Sequence, residues 1–245
     1  MKPVLLLIPG MFNTAAIWDA LLPLLQPEMD VRIAEVLTQD SIVGMAEDAW
    51  TQVQDVPPGT VMLVCGFSMG GYVAMELLAR HGTHFQGVMM LDTSAQPETP
   101  ETLLAREKTI SALQRNFERT VEGIIPFSLH PDSLADPSRV EGMRRMMHAV
   151  GAETAIRQLR AIMSRQDHRE RLSQLTQTVL VVCGQQDQVT PPALSRDRAS
   201  LIPGAELHWL EATGHQTPLE QAPRLAELLK GLASRCTSPH SEPSV

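Results

Sequence analysis

At 245 residues with 43% hydrophobic content, the chain can bury one sizeable core and is short enough to form a single domain carrying an insertion. A formal net charge of −8 argues against nucleic acid as a partner, because phosphate-binding proteins need a clustered basic surface. Three cysteines, Cys65, Cys183 and Cys236, cannot all pair, and the first two sit inside apolar runs, as small core residues of a reduced, cytoplasmic protein would.

The first apolar run, Val4 to Ile8, stops at Pro9-Gly10 with no small-residue cleavage site, so it reads as a buried strand and not as a signal peptide. No apolar stretch approaches the ~20 residues of a spanning helix, and no membrane partner is expected. Further strands are expected at Val31 to Val36, Thr60 to Cys65, Gly87 to Leu91, Val179 to Cys183 and Glu206 to Leu210. Helical patterns lie between them at Ala15 to Leu25, Ser41 to Val53, Met69 to His81, Pro192 to Leu201 and Pro218 to Leu232. This alternation predicts an α/β fold with a mostly parallel sheet covered by helices on both faces.

From about Gln96 to Gln177 the strands stop and only helical periodicity remains, interrupted by Pro126, Pro131 and Pro137. The expected organisation is a core of residues 1–95 and 178–233, a helical insertion over 96–177, and a disordered polar tail over 234–245. The arginines of the insertion, among them Arg144, Arg145, Arg157 and Arg165, read as solvated helix faces paired with neighbouring glutamates in preference to an anion-binding pocket.

The sharpest motif is Gly66-Phe67-Ser68-Met69-Gly70-Gly71, which closes a strand pattern and opens a helix pattern, the context required of a nucleophile elbow. Glycines two residues either side of Ser68 let strand and helix approach closely, and the turn lifts the serine hydroxyl clear of the sheet. It also leaves the N–H of Met69 pointing to where an oxyanion would form. A serine hydroxyl needs a base. Of eight histidines, His215 alone stands in a loop directly after the last expected strand, where it can swing over the sheet's edge. Asp187, in the loop after the penultimate strand, is the expected acid that would fix the histidine tautomer. Its rival is Asp92, directly after Leu91. Either aspartate would serve equally as a turn residue or helix cap.

These segments, together with Leu5 to Trp18 and the loops Gly184 to Pro191 and Gly214 to Pro223, resemble the α/β-hydrolase superfamily, in particular its small lidded carboxylesterases, lactonases and cofactor-free haloperoxidases. The resemblance implies an α/β-hydrolase fold whose helical insertion caps the site, and a second oxyanion N–H from Met11. One departure is Pro9, which stands where many relatives have histidine. Phe12 and the methionines Met143, Met146, Met147 and Met163 are candidate pocket residues, with Phe12, Met143 and Met147 taken as substrate-binding, although the methionines suit plain packing equally. With no His-Glu-x-x-His motif and no phosphate-binding glycine loop, no metal and no cofactor is expected.

The expected function is serine hydrolysis of a small or medium carboxylic ester through an acyl-enzyme, with a small-molecule ester or lactone as the partner. Lactone opening and carbon–carbon bond hydrolysis or perhydrolysis on the same triad are the alternatives. A hydrolase-fold ligand sensor with little turnover would preserve the same residues.

Overall fold

The computed structural model describes residues 1–237. Six strands form one parallel sheet: β1 (Val4–Ile8), β2 (Asp30–Ile33), β3 (Met62–Phe67), β4 (Gly87–Leu91), β5 (Thr178–Gly184) and β6 (Glu206–Leu210), in the spatial order β2-β1-β3-β4-β5-β6. The chain leaves β1, pairs β2 on one side and returns to place β3 on the other, with Ile8 in register with Gly66. The loops after β1 and β3 therefore diverge, and the crevice between them is where ligands of open α/β sheets bind.

The period-two pattern of β1 explains the two layers of core. Val4, Leu6 and Ile8 pack with α2 (Ile42–Thr51) and α3 (Met69–His81), while Leu5 and Leu7 pack on the opposite face with Trp18 and with α11 (Ala222–Thr237). Both sides of the sheet are buried, which is why its inner strands read as continuous apolar runs.

Between β4 and β5 the chain inserts α4 (Pro100–Arg115), α5 (Phe117–Ser128), α6 (Pro131–Leu134), α7 (Pro137–Met163) and α8 (Arg169–Leu172). Asn116 ends α4 and caps α5, its side chain accepting from Arg119 N, so the two helices turn sharply with no loop between them. These helices share a separate cluster of Ile110, Val121, Met143, Met147 and Leu159, into which Phe12 of the core is set.

Several boundaries differ from expectation. Pro23 and a Thr14-capped 3₁₀ turn over Ala15–Trp18 break the first helical stretch, leaving only the short α1 (Leu22–Leu25). While α9 (Pro192–Leu201) forms as expected, the last stretch is split at Gln221 into α10 (Thr217–Glu220) and α11. The expected tail starts too early. Helix α11 runs past Ala233 to Thr237 because Cys236 packs back on the sheet-side cluster, close to Gly87; residues 238–245 of that tail lie outside the described residues. Among the described residues no helix is long and apolar enough to cross a membrane.

Candidate active site

Ser68 stands between β3 and α3 with φ 52° and ψ −116°, a backbone conformation that costs an L-residue of order 1–3 kcal/mol and has to be held by its surroundings. A Cβ on Gly66 would lie 2.4 Å from the Gly70 carbonyl oxygen, and one on Gly70 would lie 2.2 Å from that of Ile8. The two glycines thus permit the strand, the helix and β1 to approach closely enough to hold the turn.

His215 follows β6 in a loop pinned from two directions. Its N–H donates to Ser128 O at the end of α5 at 2.8 Å. Glu220 accepts from Gly214 N at 3.0 Å through one oxygen and from His130 N at 2.9 Å through the other. The histidine loop is therefore tied to the inserted helices. Its imidazole is buried beside Phe67, ring centroids 5.3 Å apart.

With Asp187 ionised, the histidine carries its proton on Nδ1, which donates to Asp187 Oδ2 at 2.9 Å, and Nε2 accepts from Ser68 Oγ at 3.0 Å. Asp187 is buried, and its carboxylate also accepts from Val189 N, Thr190 N and, at 2.6 Å, the Thr190 hydroxyl. Burial alone would raise its pKa, but the charge and hydrogen bond of His215 and the Thr190 bonds outweigh it and hold the carboxyl below its ordinary value. Burial works to lower the His215 pKa, and here too the opposing partner wins: Asp187, with smaller help from Asp92 and Glu220, carries the imidazole above its ordinary value.

Asp92 is fully buried and neither caps a helix nor sits in a solvent turn, contrary to expectation. Gly184 N donates to its Oδ1 at 2.9 Å and Thr217 Oγ1 lies 2.5 Å from its Oδ2. It thus joins the start of the Asp187 loop to the end of the His215 loop without reaching the imidazole by a hydrogen bond. Burial, reinforced by the charge of Asp187, pushes its pKa well above the usual carboxyl value. Asp92, Cys183 and Asp187 are the one group among the described residues with metal-ligand composition, their donor atoms lying within 4.8 Å of one another. Both carboxylates are occupied by the bonds above, and burial pushes the pKa of the Cys183 thiol up.

A cavity of about 420 Å³ opens on Ser68 and His215, between the sheet's carboxyl edge and the inserted helices. Met11, Phe12 and Met69 line its core side, and Met143, Met147 and Leu159 its roof on α7. Phe127 and Val189 line it and are also exposed, so they form an apolar rim. Of the candidate pocket residues, Met146 turns the other way, into the sheet cluster beside Asn13, and Met163 packs on the helical cluster. Among residues the motifs did not single out, Gln158 is fully buried and bridges the layers, donating to Val36 O at 2.9 Å and accepting from Phe12 N at 3.2 Å. Tyr72, Arg106 and Thr190 also line the cavity. Tyr72 alone had a signal, since it follows Ser68 by one helical turn.

An all-parallel sheet with a serine at a strand-to-helix turn and a histidine after the last strand defines a hydrolase of the α/β-hydrolase fold. A family model described as Serine aminopeptidase, S33, matches residues 32–222, and the chain belongs to that family. Among curated proteins it is similar to the pimeloyl-[acyl-carrier protein] methyl ester esterase of Neisseria meningitidis serogroup A, 24% identical over 237 residues that cover 91% of this chain and 74% of that one. Among solved structures it is similar to a malate-bound thermophilic esterase from Thermogutta terrifontis, with TM-score 0.85 and 23% identity, covering 97% of this chain and 91% of that one. It is also similar to the enol-lactonase of Burkholderia xenovorans LB400, with TM-score 0.82 and 20% identity, covering 96% and 92%.

Proposed function

We propose that this hydrolase cleaves small or medium carboxylic esters with Ser68 as nucleophile, His215 as general base and Asp187 as the orienting acid. The observation that carries the reading is the unbroken chain from Ser68 Oγ through His215 to Asp187, with 3.0 and 2.9 Å links, opening on a largely apolar cavity. His215 Nε2 takes the Ser68 proton as Oγ bonds to the ester carbonyl carbon, and returns it to the departing alcohol. A water molecule then attacks the acyl-enzyme by the same route, and Ser68 is released. The N–H of Met69, at the first position of α3, has no intrahelical carbonyl to bind, and it serves with the N–H of Met11 as the oxyanion hole. Phe12, Met143 and Met147 contact the apolar part of the substrate.

The curated relative is named for a methyl ester esterase, which favours an ester with a small alcohol over carbon–carbon bond cleavage. A lactone presents the same carbonyl and is the next substrate class. The helices of 96–177 act as the cap that shields the reaction from water. The free cysteines favour a reducing, cytoplasmic setting. The reading needs no cofactor. Its test is a fluorophosphonate probe together with a panel of chromogenic esters of rising acyl length and simple lactones. Labelling at Ser68 with ester turnover supports it; labelling without turnover of any ester or lactone would favour the ligand sensor.

A further inference from the structure

The cavity is apolar along α7 and cationic at one end only. Thr102, Ala105, Arg106 and Thr109 line it and recur at the three- and four-residue spacing that sets side chains on one helix face, with Arg106 in the middle of that face. Arg106 Nη2 donates to Glu98 Oε1 at 2.8 Å and the Arg106 side chain stays 26% exposed, while its Nε and Glu98 Oε2 are both without a hydrogen-bond partner among the described residues. Glu98 Oε1 also accepts from Arg165 Nη1; the two side chains of that second pair are only 8% and 5% exposed, and the Arg165 guanidinium lies 4.4 Å over the Tyr72 ring. Two guanidinium groups therefore share one carboxylate. Arg106 and Arg165 remain cations because burial, although it lowers the pKa of both, acts on a group whose ordinary value is very high.

With one carboxylate between two guanidinium groups, a positive charge is left over at the cavity wall that an anion entering the cavity can pair with. It occurs here in a chain of net charge −8, so it is no part of a generally basic surface. It is also close to the chemistry: Tyr72, beside both arginines, lies about 6 Å along α3 from Ser68 at ~1.5 Å per residue.

Resting on the hydrolase reading above, the geometry points to Arg106 as the anchor for a second, anionic group of the substrate, so that the ester this site takes is a monoester of a short dicarboxylic acid. The carboxylate pairs with the exposed part of the Arg106 guanidinium while the ester carbonyl, a few carbons away, faces Ser68.

The test compares kcat/KM for the monomethyl and dimethyl esters of succinic, glutaric and adipic acids, in the wild type and in Arg106→Gln. The wild type is expected to prefer the monomethyl ester of at least one length by about ten- to a hundredfold, the worth of one charge-assisted hydrogen bond, mostly through KM. Arg106→Gln is expected to bring that ratio close to one. Arg106→Lys, which keeps a charge for Glu98 but not the planar fork, should fall between them and guards against a folding defect in the glutamine variant. Calorimetric binding of the same monomethyl esters to Ser68→Ala gives a readout independent of turnover, expected to weaken by the same factor when Arg106→Gln is added. A wild-type ratio near one, or a ratio and a binding constant unmoved by Arg106→Gln, overturns the anchor and leaves ester hydrolysis standing. Absence of all ester turnover, with binding that still depends on Arg106, keeps the anchor and overturns the hydrolase reading.

Discussion

Ser68 is held in a strained conformation by backbone packed against backbone, with the Gly70 position close enough to β1 to exclude any side chain. Ser68→Ala removes the nucleophile and leaves that packing untouched. The variant is expected to keep the wild-type melting temperature and no more than about a thousandth of its turnover, since loss of the nucleophile of a triad costs several orders of magnitude in kcat; a more active variant would rule out the mechanism. The two buried aspartates invite a sharper comparison. Asp187→Asn turns an amide toward His215 Nδ1 and selects the wrong tautomer, a defect worth up to ~10⁴ in kcat. Asp92 bonds Gly184 N and Thr217 Oγ1 instead, and burial together with the charge of Asp187 raises its pKa. Asparagine reproduces that shape and both bonds, so Asp92→Asn is expected to cost less than about tenfold, while Asp92→Ala, which frees both loops, costs more. Steady-state kinetics of the three variants checks the assignment; a large loss in Asp92→Asn alone would move the acid to β4. The pH profile follows from the same geometry. Asp187 raises the His215 pKa, and the base must be neutral, so activity rises with pH along a limb lying above the ordinary imidazole value of ~6.5. A limb below that value, with chemistry rate-limiting, would contradict the buried ion pair.

Among the elements, α7 is not one continuous helix. Gly151 interrupts it at φ 75° and ψ 167°, and a Cβ there would meet nothing within 4 Å. Gly151→Ala therefore isolates backbone strain from packing: a loss of about 1–3 kcal/mol is expected in urea unfolding, whereas no loss would mean that the kink relaxes. The end of α11 gives a second case. A chain ending at Ala233 loses the packing of Cys236 against the sheet cluster, and it is expected to melt a few degrees below a chain ending at Thr237, for a deficit of about 1 kcal/mol. Equal melting temperatures would show that the last turn contributes nothing.

In the whole molecule, the inserted helices and the sheet are joined where the chemistry is. Ser128 and His130 hold the histidine loop, Gln158 spans from α7 to Val36 and Phe12, and Phe12 completes the helical cluster. Such shared packing predicts that the cap and core unfold together. Helical circular dichroism and fluorophosphonate reactivity should be lost at the same urea concentration; reactivity lost well before helicity would show the cap opening alone. Glu220→Gln, which keeps the side chain's shape but can accept from only one of the Gly214 and His130 N–H groups and turns an amide donor toward the other, should lower kcat by about tenfold.

The sequence by itself determined the parts whose signal is local. The elbow is written as two glycines around Ser68 between a strand pattern and a helix pattern, and the parallel sheet as apolar runs spaced by helices, because backbone sterics and side-chain periodicity act over a few residues. His215 and Asp187 were legible as candidates from their places just past strands, and the expectation fell on Asp187 although Asp92 also follows a strand; the register of β4 with β5 adds which carboxylate bonds Gly184 N and which bonds the imidazole. The places of Arg106, Arg165 and Gln158 were not legible. On the sequence the arginines are surface charges of the helical insertion, and their meeting with Glu98 and Tyr72 depends on how the tertiary fold brings α4, the segment after α7 and α3 together. Only tertiary structure decides such meetings, since a charge's role depends on its desolvation and on partners brought from distant parts of the chain.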